Sequence, residues 1–146
     1  MRNSVWVGMM CAVIAAPVYA QCAKGSQALF SCMTKKGKQI EVCDAGATIS
    51  YRFGPPAAPE MVIQVPRQQA RTFQWAGMGR YMSYSVDIPN GQTVYSVFTS
   101  LDRVSEKHAF EAGVNVLQKG ELLATVKCAG TPTENRLEGV DLPASD

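Results

Sequence analysis

The chain has one histidine, His108, set in the run E-K-H-A-F away from any Gly-x-Ser-x-Gly elbow. A Ser-His or Cys-His arrangement and a multi-histidine metal site are both argued against. No Cys-x-x-Cys occurs, so neither a zinc knuckle nor a dithiol redox motif is suggested. The densest glycine stretch, Gly77-Met78-Gly79, is too short to cradle a phosphate and runs into a strand-like segment rather than a helix. An excess of one charge is lacking too. Fourteen Lys+Arg face twelve Asp+Glu, with no polybasic run of the kind that marks nucleic-acid or anionic-lipid binding. Carboxylates are available for glycoside hydrolysis: Glu41, Asp44, Glu60, Asp87, Asp102, Glu106 and Glu111. The pattern brings no two of them into a shared apolar pocket, and solvated charges are the simpler reading. No cofactor and no metal is implied, and no catalytic residue stands out.

What the chain does have begins at its N-terminus. Residues 1–20 read as a secretory signal: Arg2, an apolar run from Val5 to Ala16 too short to span a bilayer, Pro17 as a break, and Val18-Tyr19-Ala20 placing small residues where signal peptidase reads. Gln21 is not the small residue that a lipid-accepting cysteine at position 22 requires. Cleavage after Ala20 predicts an exported chain with 13 basic and 12 acidic side chains, a net charge of +1. Cys11 leaves with the signal. Cys22, Cys32, Cys43 and Cys128 remain, an even count that predicts two disulfides.

Period-two alternation dominates the rest. In Y-M-S-Y-S-V-D-I, residues Met82, Tyr84, Val86 and Ile88 share one face, and Tyr81, Ser83, Ser85 and Asp87 the other. Asn90-Gly91 then predicts a two-residue hairpin turn. That register sets Ile88 opposite Thr93, Val86 opposite Tyr95 and Tyr84 opposite Val97. Ile49, Tyr51 and Phe53 alternate in the same way, Gly54 to Pro59 is a loop, and M-V-I-Q-V is a short strand ending at Pro66. T-F-Q-W is a further strand, and V-N-V-L-Q with L-L-A-T-V-K-C makes a second hairpin. Residues 103–110 are the one fair place for a short helical turn. The expected fold is all-β: one disulfide-bonded antiparallel meander of about seven to eight strands in a small barrel or sandwich. It spans residues 21–128, with 129–146 as a surface tail.

A type II′ turn at Gly37-Lys38 pairs Lys36 with Gln39 and so sets Cys32 opposite Cys43, at about the 4.5–5.5 Å Cα spacing that a disulfide spans. Cys22 then joins Cys128. A turn centred one residue earlier breaks that match and leaves Cys22–Cys43 with Cys32–Cys128.

The candidate binding site is W-A-G-M-G-R-Y, a strand-to-strand connection at one rim. Gly77 and Gly79 free the backbone. Trp75, Arg80 and Tyr81 are residue types that carry energy at protein interfaces, and the core does not need Tyr81 on its polar face. In the competing structural reading, Trp75 plugs the end of the barrel and Arg80 pairs with a local acid. A small apolar-ligand carrier is a separate alternative, because a small barrel can hold one such molecule.

F-S-C-M-T-K-K-G-K-Q-I-E-V resembles the opening of the C-type lysozyme inhibitors, small disulfide-bonded β-barrels of Gram-negative envelopes. A-G-M-G-R-Y resembles their active-site loop at Gly77 and Tyr81, with Ala76 where those proteins carry serine and one residue more. In its signal, size and plain β architecture the chain also resembles periplasmic immunity proteins that neutralise secreted phospholipases or peptidoglycan hydrolases, and C-D-A-G-A-T-I-S-Y-R-F-G with W-A-G-M-G-R-Y resembles motifs of a widespread group of bacterial envelope proteins. The resemblance implies a non-enzymatic protein whose partner is an envelope or secreted hydrolase.

Overall fold

The computed structural model describes residues 21–146, with Ala12 alone ahead of them. The segment read as a secretory signal lies outside the described residues. Two five-stranded antiparallel sheets make up the fold, which is not a closed barrel. The first holds β1 (Gln27–Met33), β2 (Gln39–Asp44), β3 (Thr48–Gly54), β4 (Met61–Pro66) and the two-residue β10 (Glu134–Asn135), in the order β10-β1-β2-β3-β4. The second holds β5 (Arg71–Gln74), β6 (Tyr81–Asn90), β7 (Thr93–Asp102), β8 (Phe110–Gln118) and β9 (Glu121–Lys127) in sequence order. The all-β, antiparallel, disulfide-bonded expectation holds, with more strands than the seven or eight counted from alternation.

Alternation sets the faces. Ile49, Tyr51 and Phe53 of β3 lie opposite Val65, Ile63 and Met61 of β4. Val86 and Ile88 of β6 meet Val97 and Tyr95 of β7. These inward rows close on one core, in which Phe30, Ile40, Val42, Ile49, Val86, Ile88 and Val97 are fully buried. Tyr51 and Tyr95 stack between the sheets with ring centroids 5.1 Å apart. Burying side chains of this size contributes about 1.5–3 kcal/mol each.

Three expectations change. The β6–β7 turn falls on Gly91-Gln92, not Asn90-Gly91, and Ile88 pairs with Tyr95 rather than Thr93. Gly91 takes the left-handed conformation (φ +62°) in the first central place, the preference of a type II′ turn. The register moves by an even number, so the apolar rows still share a face. Second, Cys32 lies opposite Ile40 rather than Cys43, and the bridges are the pair left open for an earlier turn, Cys22–Cys43 and Cys32–Cys128, with Cα atoms 5.6 and 5.8 Å apart. The cause is the turn. Lys35-Lys36-Gly37 forms a three-residue loop with Gly37 left-handed at its end (φ +72°), instead of a two-residue turn at Gly37-Lys38. Third, residues 103–109 form bends and a turn, not a helix. Among the described residues the helical turn is the 3-10 segment Arg67–Gln69.

Residues 129–146 run from one sheet to the other. The Arg136 N–H donates to the Leu29 carbonyl at 2.7 Å, Leu137 is fully buried, and Thr72 and Ala144 form a parallel bridge beside β5. This strap covers the β5 edge, which would otherwise offer unpaired backbone groups. No helix among the described residues is long and apolar enough to cross a membrane.

Candidate functional site

The connection from Trp75 to Tyr81 stands at one rim, and its side chains divide into anchors and exposed groups. Trp75 is only half-buried and does not plug the fold. Its indole N–H donates to the Met78 carbonyl at 2.7 Å, and the Arg103 guanidinium lies 4.7 Å from its ring centroid. Arg80 grips Asp102 with two parallel bonds, Nε to Oδ1 at 2.9 Å and Nη2 to Oδ2 at 2.7 Å, the strong fork geometry of a guanidinium on a carboxylate. The same guanidinium lies 5.4 Å from the Tyr81 ring centroid. Gly77 (φ +86°) and Gly79 (φ +95°) take conformations that a side chain would strain.

A second loop completes the tip. Arg103 donates from its backbone N–H to the Arg80 carbonyl at 2.9 Å and from Nη1 to the Gly79 carbonyl at 3.0 Å. The Asp102 carboxylate also accepts from the Val104 and Ser105 N–H groups. Its hydrogen bonds from Arg80, and then those backbone donors, hold the carboxyl well below the usual carboxylate range. Arg80 is held above its ordinary value by the same pair. The result is a cross-braced tip on which Met78 (80 %), Val104 (69 %) and Tyr81 (54 %) stand exposed. Phe110 stands exposed nearby as the next residue in line from Met82 and Leu101 across β7 and β8.

The structure therefore brings all five sequence candidates, Trp75, Gly77, Gly79, Arg80 and Tyr81, into one tip, but Trp75 and Arg80 are engaged within it. Arg80 does pair with a local acid, as the competing structural reading had it; sequence reading missed that this acid is Asp102, and missed Met78, Val104 and Arg103. The signal for Asp102 was the β6–β7 register, which sets Tyr81 opposite it.

Six of the seven candidate carboxylates take local partners. Glu60 pairs with Lys38, Asp44 with Arg67, Asp102 with Arg80 and Glu111 with Lys127. Asp87 accepts from Ser85, Ser96 and Ser145. Glu41 lies buried on the outer face of β2, where it accepts from Gln39 at 3.2 Å, and its Oε1 lies 3.8 Å from Arg52. Burial pushes its carboxyl up, against the pull of Arg52. Cys22, Glu41 and Cys43 cluster closely enough to hold an ion, but the two sulfurs are bonded to each other and are not thiolate ligands. His108 sits exposed in the second loop with left-handed backbone (φ +43°).

No family model, curated protein or solved structure matches the chain.

Proposed function

We propose that the protein is a non-enzymatic binding protein of the periplasm, exported through a cleaved signal, that inhibits or neutralises a cell-envelope hydrolase with the rim tip. The observation that carries this reading is the combination at Trp75–Tyr81 of a braced backbone and exposed apolar side chains. A contact loop ordered before binding loses little entropy when it docks, so more of its contact energy appears as affinity. Met78, Tyr81 and Val104 supply the apolar contact, and Arg80, locked onto Asp102, holds the shape. The two disulfides suit an oxidising compartment outside the cytosol. Tyr81, exposed on the tip, suits insertion into a cleft, the way a hydrolase active site is most directly blocked.

The test is inhibition. Purified protein is titrated against a panel holding a C-type lysozyme, a peptidoglycan amidase and a phospholipase. One class is expected to be inhibited at near-stoichiometric concentration. Tyr81→Ala is expected to weaken that inhibition by about 30-fold, the equivalent of the roughly 2 kcal/mol that a central aromatic contact contributes. Absence of inhibition across the panel, or full potency in Tyr81→Ala, would contradict the proposal.

A further inference from the structure

At the end of the β1–β2 hairpin, beside the Cys32–Cys128 bridge, a groove of about 740 Å³ opens on the core. Its floor is Phe53, Val126 and Cys128, each partly buried and packed against the interior. Its rim carries Lys35, Lys36 and Lys38 from the hairpin turn and Lys127 from the end of β9, and no carboxylate lines it. The sequence has no polybasic run. The fold builds this basic rim by joining residues ninety positions apart, through the Thr34–Cys128 bridge and the neighbouring disulfide.

Two of the four ammoniums already have acids. Lys38 Nζ lies 2.9 Å from Glu60 and 5.4 Å from the Phe53 ring centroid, and Lys127 Nζ lies 2.7 Å from Glu111. Lys35 and Lys36 are exposed and form no ion pair among the described residues. An apolar floor that reaches the core, under a rim with unneutralised positive charge, is complementary to a molecule with an alkyl body and an anionic head. The volume falls in the range that holds one small ligand, about 300–1,000 Å³.

We infer that this groove binds a single-chain anionic amphiphile as a monomer, with its chain on Phe53 and Val126 and its head at Lys35 and Lys36. The groove shares no residue with the rim tip, so this inference stands apart from the hydrolase-binding reading. It also differs from a carrier whose ligand fills the fold's interior, because here the chain lies at the mouth between the sheets.

The experiment is a titration of the disulfide-intact protein with laurate below its micelle concentration, followed by backbone amide shifts. Saturable one-to-one binding is expected, with the largest shifts at residues 34–38, 53 and 125–128. Dodecyltrimethylammonium, with the same chain and the opposite head, should bind at least about tenfold more weakly, since two free ammoniums repel it. The double variant Lys35→Glu/Lys36→Glu should lose laurate by at least about tenfold at an unchanged melting temperature, since both residues are exposed in a turn. Val126→Trp, which fills the floor, should lose it independently. Equal affinity for the two heads, shifts centred elsewhere, or full affinity in the lysine variant would overturn the inference. So would binding confined to anionic vesicles or to an acidic peptide with none to monomeric laurate.

Discussion

The two disulfides close loops of very different length, and that difference sets a ranked prediction. Cys32 and Cys128 are separated by 96 positions, Cys22 and Cys43 by 21. In the chain-entropy account the longer loop restrains the unfolded chain by about 4.7 kcal/mol and the shorter by about 3.4 kcal/mol. Paired alanine variants, Cys32→Ala/Cys128→Ala and Cys22→Ala/Cys43→Ala, remove one bridge each without leaving a lone thiol. In urea, with an m-value of about 1.5 kcal/mol per M, the midpoints should fall by about 3 M and about 2 M. Cys32 and Cys43 are both buried, so each variant also loses one buried sulfur and the ranking rests on loop length. Non-reducing tryptic mapping checks the pairing itself, because residues 25–35 should stay attached to 128–136, and residues 39–52 to the N-terminal peptide. A larger loss for the Cys22/Cys43 variant, or a change under about 1 kcal/mol for either pair, would contradict stabilisation by loop closure.

Asp102→Asn should lower the melting temperature at pH 7 and flatten its acid dependence. The Asp102 carboxyl is depressed in the fold, so its stabilisation is present above the ordinary carboxylate pKa and is lost as pH falls through the lower folded value; melts from pH 7 to pH 2 on both proteins measure this. Glu41 has the opposite sign. Its raised carboxyl makes the fold less stable as pH rises from its ordinary value of 4.5 through the folded one. Glu41→Gln should therefore stabilise at pH 7 more than it does below pH 4, in paired denaturant titrations. Gly113→Ala should cost about 2 kcal/mol, because a Cβ there would meet the Val126 backbone carbonyl; a loss within 0.5 kcal/mol, taken as roughly the spread of neutral surface changes, would contradict the close β8–β9 approach.

Alternation carried the faces of β3, β4, β6 and β7, because a sheet with one buried side repeats every two residues. Register was harder, because it depends on which residue of a turn goes left-handed. Reading Asn90-Gly91 as the turn set Tyr81 opposite Ser100, whereas the turn at Gly91-Gln92 sets it opposite Asp102. That shift hid the Arg80–Asp102 brace while leaving Tyr81 on the correct face. At Lys35-Lys36-Gly37 the same ambiguity reversed the disulfide pairing, and with it hid that Lys127 and the hairpin lysines line one groove. Leu137 lies in a segment with no periodicity, so nothing local marked it as a core residue. Trp75 read as a contact because of its residue type. Its half-buried stacking on Arg103 depends on a loop 28 residues away.

The proposed function requires the braced tip, and not another face, to meet the protein partner. Photo-crosslinking distinguishes the two, with a benzophenone side chain placed at Met78 in one preparation and at Val62 in another. Val62 is comparably exposed, on the far sheet. Each preparation is irradiated with the hydrolase that the inhibition panel identifies. A covalent adduct from position 78 and none from position 62 is the predicted result. An adduct from position 62 alone, or equal adducts from both, would contradict the account.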